Sequence, residues 1–137
     1  MRDYDLLIQK TPPAYQAWLA DNPDEVLQTD VIGLYSRDSL PERNETNEME
    51  TFLPDHLIIG DDSGDYVFVM RCSSESPVYI VDHGSLRLDD LQEIAPSFSV
   101  WLESGFPLPE EPEYHLPLRA DIYVDRVGDL KTMFALQ

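Results

Sequence analysis

Apolar residues along the chain fall into two rhythms, short uninterrupted runs and helical spacing. The runs are HLIIG, YVFVMR and PVYIVD, at residues 56–60, 66–71 and 77–82. Each is rich in β-branched or aromatic side chains and bounded by Gly, Asp, Ser or Pro, which predicts three strands. DVIGLYS adds a strand from Val31 to Tyr35. Helical spacing first occurs in PPAYQAWLADN, where Ala14, Trp18 and Leu19 make an apolar stripe and Pro13 suits the first turn. SLPERNETNEMETF predicts a polar helix starting near Ser39 or Leu40, with Pro41 at its first position. Its apolar residues, Met49, Phe52 and Leu53, come late. Leu91, Ile94, Ala95, Phe98, Trp101 and Leu102 keep the i, i+3, i+4, i+7 spacing. Pro96 interrupts them, because an interior proline clashes with the carbonyl four residues earlier. The prediction is a turn from Asp90 to Ile94, then a helix from near Pro96 to Ser104, stopped by Gly105.

FPLPEEPEYHLP, residues 106–117, reads as a surface loop, since too little chain follows it to fold alone. ADIYVDRVGDLKTMFALQ predicts a strand from Ile122 to Asp125 and a last turn or helix from Asp129. The order is helix, strand, helix, three strands, helix, strand, helix. Consecutive short strands joined by tight turns predict an α+β domain, a largely antiparallel sheet of about five to six strands with helices packed on one side. At 137 residues the chain suits one domain, residues 1–137.

Charge changes the picture most. The formal net charge is −18. Such a surface repels nucleic-acid phosphates and anionic lipid, and steers basic proteins toward it. Solubility alone is the competing account of the acidity. Cys72 is the only cysteine, so no internal disulfide forms. The start, MRDYDLLIQK, has no charged leader followed by an apolar run, and no apolar segment approaches the roughly 20 residues that span a bilayer. The expectation is a cytoplasmic protein. Asn44-Glu45-Thr46 fits a glycosylation acceptor but carries no meaning without a secretion signal.

IIGDDSGDYVFVM, residues 58–70, crowds Asp61, Asp62 and Asp65 around Ser63 and Gly64. A calcium loop counted from Asp61 places Ser63 and Asp65 correctly, but has Tyr66 where the glycine belongs and Cys72 where the bidentate glutamate belongs. Asp62-Ser63-Gly64 matches the short aspartic-protease signature, yet that chemistry needs a second carboxylate from another copy of the motif or another chain, and the sequence holds no second copy. A hairpin turn explains the stretch best, because Asp and Gly tolerate left-handed backbone and bond locally. A tip of aspartates also suits an Arg or Lys on a partner.

RNETNEMETFLPDHLIIGDDSGDYVFVMR, then PVYIVDHGSL and EIAPSFSVWLESG, resembles the Smi/Knr-type family of the SUKH superfamily. PPAYQAWL resembles that family's first-helix pattern at Pro12, Tyr15, Trp18 and Leu19. Val78, Tyr79, Asp82 and His83 match its valine-tyrosine strand ending in Asp-His, and Ile94, Ala95, Ser97 and Phe98 its Ile-Ala-x-Ser-Phe helix. The similarity runs from about Pro12 to Gly105. Two departures stand out: Asp65 replaces the usual second glycine, and DNPDE stands where Asn-Gly-Gly often follows the first helix. The resemblance implies a mixed sheet with helices beside it and a binding module without catalytic residues or cofactor. Many bacterial members are thought to be immunity proteins against secreted polymorphic toxins, often nucleases; fungal members are scaffold-like regulators of cell-wall synthesis.

Enzyme chemistry finds little support in the residues. Ser63, His83 and Asp82 make a triad only on paper, without a Gly-x-Ser-x-Gly elbow. His56 and His115 lack metal-ligand spacing, no glycine-rich phosphate loop occurs, and Cys72 reads as a partly buried small residue. Trp18, Phe98 and Trp101 read as core. The expectation is therefore a non-enzymatic module, needing no metal or cofactor, that blocks a basic toxin domain by acidic occlusion. A regulatory scaffold with an endogenous partner is the alternative. Candidate contacts are Asp61, Asp62 and Asp65 at the turn; Glu42, Glu45 and Glu48 on the polar helix; and Glu110, Glu111, Glu113 and Tyr114 in the late loop. Glu45 and Glu48 would share one helix side. The chain is expected to be a monomer or a weak homodimer, as the sheet must end in an edge strand.

Overall fold

The computed structural model describes residues 2–24 and 26–109. In chain order its elements are α1 (Tyr4–Gln9), α2 (Pro13–Asp21), β1 (Val26–Leu27), β2 (Gly33–Leu34), α3 (Leu40–Thr46), α4 (Met49–Phe52), β3 (His56–Asp61), β4 (Tyr66–Arg71), β5 (Val78–Asp82), a 3-10 turn (Leu88–Asp90), β6 (Gln92–Ala95) and α5 (Phe98–Glu103). The six strands lie side by side in the order of the chain, each antiparallel to the next. The α+β expectation holds, and the three apolar runs are the central strands β3, β4 and β5.

β4 is buried from Val67 through Met70, so both of its faces are covered. Its near-continuous apolar sequence follows from that. Phe68 meets Trp101 of α5 at 4.9 Å between ring centroids. Phe98 on the same helix meets Tyr15 at 5.2 Å and Trp18 at 6.0 Å, mostly edge to face, which joins α2 to α5. The predicted core aromatics Trp18, Phe98 and Trp101 are indeed buried. The predicted stop at Gly105 also holds. Its φ is 84°, Gly105 N–H donates to Leu102 C=O, Phe106 N–H donates to Trp101 C=O, and the Phe106 ring packs on Trp101 at 5.0 Å. That is a Schellman cap with its apolar clasp.

Four expectations are corrected. First, α1 precedes the helix read as first. Asp3 caps it by accepting from Leu6 N–H at 3.1 Å, and Tyr4 and Ile8 form its buried side. Second, the polar helix is two helices broken at Glu48, whose φ is 54°. Leu40 and Met49 are both fully buried. At about 100° per residue an unbroken helix would place them on opposite sides, so the break lets both reach the core. Glu45 and Glu48 therefore do not share one helix side, and Pro41 falls at the second helical position. Third, residues 92–95 are strand rather than turn. β6 finds its hydrogen bonds on β5, with Val78 opposite Ala95, and Ser97 caps α5 by accepting from Val100 N–H at 3.1 Å. Fourth, the strand predicted from Val31 to Tyr35 shrinks to Gly33–Leu34, and β1 before it was not foreseen. The strand at 122–125, the element from Asp129 and most of the proline-rich loop lie outside the described residues.

Candidate functional site

The aspartate stretch is the β3–β4 hairpin turn. Asp62 N–H donates to Tyr66 C=O at 3.1 Å. Asp62 Oδ1 accepts from the N–H groups of Gly64 at 2.9 Å and Tyr66 at 3.2 Å. Asp61 Oδ1 accepts from Ser63 N–H at 3.0 Å, while its Oδ2 accepts from the Tyr35 hydroxyl at 2.6 Å. Ser63, with φ 68°, donates its hydroxyl to Val31 C=O at 2.7 Å. Two carboxylates and one hydroxyl are thus engaged in holding the tip against the β2 side of the sheet. Asp65 is exposed.

The helix glutamates separate into three environments. Glu42 is exposed in the first turn of α3. Glu45 Oε2 accepts from the Tyr4 hydroxyl at 2.6 Å, tying α1 to α3. Burial, and then that bond to a carboxylate, hold the Tyr4 phenol above its ordinary range. Glu48 stands at the α3–α4 corner, where its backbone carbonyl accepts from Thr51 and Phe52. It faces a groove of about 340 Å³ that Phe52, His83, Leu86 and Arg87 also line. Glu110, Glu111, Glu113 and Tyr114 lie outside the described residues. The described carboxylates thus serve separate local contacts, at the turn, the α1–α3 tie and the α3–α4 corner.

Phe52 is an exposed residue that the sequence reading did not separate from its buried neighbours Met49 and Leu53. One of the late apolar positions of the polar helix, it is 53% exposed at the end of a one-turn helix, and Leu88 is 65% exposed. Only the half-turn phase difference between Leu40 and Met49 could have signalled the break that turns Phe52 outward. Asp82 of the paper triad directs its Oδ1 to Gly84 N–H at 2.8 Å instead of to a histidine. Cys72 is half-buried, and burial pushes its thiol up to about 11, away from thiolate reactivity. Among the described residues no group of three or more His, Cys, Asp or Glu is placed to hold a metal ion. No helix among them is long and apolar enough to cross a membrane.

Sheet order, short flanking helices and the capped corner from β6 into α5 define the class, an α+β domain with an antiparallel sheet. The chain matches the SMI1 / KNR4 family (SUKH-1) over residues 9–104, from the end of α1 to the end of α5, and it belongs to that family. No curated protein matches it.

Proposed function

We propose that the protein is an immunity-type binding module that neutralises a secreted polymorphic toxin, of which a nuclease is the best-fitting kind, by covering its basic surface. Membership of the SUKH-1 family supports a protein partner. The observation that carries the acidic mechanism is the net charge of −18. Exposed Glu42, Glu48 and Asp65 would pair with the Lys and Arg that a nuclease uses on phosphates, while the bulk of the domain denies substrate access. Asp61, Asp62 and Glu45 hold the turn and the α1–α3 contact, and add field more than direct pairing. The domain would act in the cytoplasm of the cell it protects.

The test is capture from the native host with the full chain as bait, at low and moderate salt, followed by co-expression of the captured protein. A basic protein that elutes as salt rises, and whose toxicity the chain suppresses, supports the proposal. A housekeeping partner without toxicity moves the function to a regulatory scaffold. No partner at either salt overturns both.

A further inference from the structure

β6 is the last strand of the sheet, and among the described residues only β5 lies beside it. Alternate backbone groups of an antiparallel strand point to opposite neighbours, so part of β6 still offers N–H and C=O groups outward. Pro107, Leu108 and Pro109 face Gln92, Glu93 and Ile94 across a slot of about 240 Å³. Three consecutive β6 residues line it, so the slot lies along the edge rather than on one face of the sheet. Trp101 holds the strap of residues 107–109 in place. Its Nε1–H donates to Pro107 C=O at 3.0 Å, and its buried ring packs on Phe106 at 5.0 Å. The strap leaves the ladder incomplete, because Pro107 and Pro109 have no N–H and Pro107 C=O is already taken. Gln92 adds a second unmet demand. Its Oε1 is buried without a hydrogen-bond partner among the described residues. Edge strands are commonly blunted by Pro or Lys, and β6 carries neither. Its one charge is the exposed carboxylate of Glu93.

We propose that β6 takes an extended segment of a basic protein partner as an added strand, with Lys or Arg against Glu93 and a side-chain donor on Gln92 Oε1. The inference deepens the proposed function and rests on its protein-binding reading. Main-chain pairing supplies affinity, and the slot beside the strap selects the side chains. Charge selects the occupant. Edge-to-edge pairing of two copies would bring together two chains at −18, and an acidic segment would meet Glu93 with like charge.

The probe is a synthetic extended peptide that alternates Val or Thr with Lys. One control carries N-methyl groups on alternate backbone nitrogens, and a second has Glu in place of Lys. Each is titrated into the isotope-labelled full chain and followed by backbone amide NMR and hydrogen exchange. In the free chain the amides of residues 92–95 that do not pair with β5 should exchange freely. The Lys peptide should shift and protect them. The N-methylated peptide should bind about tenfold more weakly or worse, having lost main-chain donors. Glu93→Lys should weaken the Lys peptide about fivefold and favour the Glu peptide, as reversal of an exposed ion pair does. Glu103→Lys, at an exposed site on α5, should change either less than twofold. Both sites are exposed, so equal melting temperatures in the variants confirm that only binding was changed. Shifts centred elsewhere, or equal binding of the N-methylated peptide, overturn the added strand. Protection of those amides before any peptide is added also overturns it: residues beyond 109, or a second copy if protection grows with concentration, would then hold the edge. If a host partner still binds the chain in these cases, the protein-binding function stands without the edge. If no host partner binds and the Lys peptide shows no advantage over the N-methylated one, both fall.

Discussion

The side-chain amide of Asn44 pairs with both backbone groups of Ile58. Asn44 Oδ1 accepts from Ile58 N–H at 2.8 Å, and Asn44 Nδ2 donates to Ile58 C=O at 3.1 Å and to Leu40 C=O at 2.9 Å. β2 reaches only Gly60 and Asp61 of β3, so Asn44 continues the ladder where that strand stops. Both residues are fully buried, and no water can replace the bonds. Asn44→Leu should destabilise the chain by about 3 kcal/mol or more, since each orphaned backbone group costs about 1–3 kcal/mol. Asn44→Asp should do no better, as it faces two carbonyls with an acceptor. Urea unfolding checks both, and a loss below about 1 kcal/mol in both would refute the edge role.

Gly60 is required by close approach rather than by its dihedral angles. A Cβ there would stand 2.3 Å from Gly33 O and 2.8 Å from Leu34 Cδ2. The contact falls next to the register shift between Ile58 and Gly60, where β2 joins β3. Gly60→Ala should cost about 2 kcal/mol or more by overpacking. At Gly64 the nearest contact is a side-chain oxygen of Asp62 at 3.3 Å, which a small shift relieves, so Gly64→Ala should cost clearly less than Gly60→Ala. Equal melting temperatures for the two variants would contradict this.

Tyr15 is buried among aromatic rings, and its hydroxyl has no hydrogen-bond partner among the described residues. Burial raises its phenol far above the ordinary range. The ring supplies the contact with Phe98, while the hydroxyl contributes only its desolvation cost. Tyr15→Phe should therefore raise stability by about 1 kcal/mol, and Tyr15→Ala should lower it by about 3–5 kcal/mol. A destabilised Phe variant would reveal a partner for the hydroxyl.

His56 is buried, which lowers its pKa from the ordinary 6.5, and Arg71 opposite it in β4 lowers it further. The folded chain thus binds fewer protons than the unfolded chain just below pH 6.5, so this group's contribution is lost as pH falls. Protonation of surface carboxylates relieves self-repulsion and acts in the other direction. Comparison with His56→Gln separates the two. The native chain should lose stability relative to the variant between pH 6.5 and the lowered value, and parallel curves would exclude the role.

The fold was more legible than the site for a physical reason. Val67, Phe68, Val69 and Met70 announce a buried strand by themselves, because strand formation and burial reward the same side chains. Gly105 likewise announces its own stop. The α3–α4 corner does not, since the polar residues between Leu40 and Met49 are compatible with helix throughout, and only the core's demand for both breaks them apart. Leu91 to Ala95 kept a helical spacing by coincidence, and the β5 edge overrode it. Among the candidate contacts, local chemistry correctly gave Asp62 a turn role. Nothing local could say that Tyr35 reaches Asp61 or that Tyr4 reaches Glu45, 41 positions away.

The edge-to-face contact of Phe98 with Tyr15 and Trp18 sets an order of assembly. Each strand pairs with the one made just before it, and from β3 onward the connections are short, so that part of the sheet can form as the chain grows. The helix α2 has no such neighbour, whereas α1 is tied to α3 by Tyr4 and Glu45. Its aromatic lock arrives with Phe98 of α5, 80 positions after Trp18, and until then Tyr15 and Trp18 lack that ring partner. The helix at Pro13–Asp21 is thus among the last elements to be fixed.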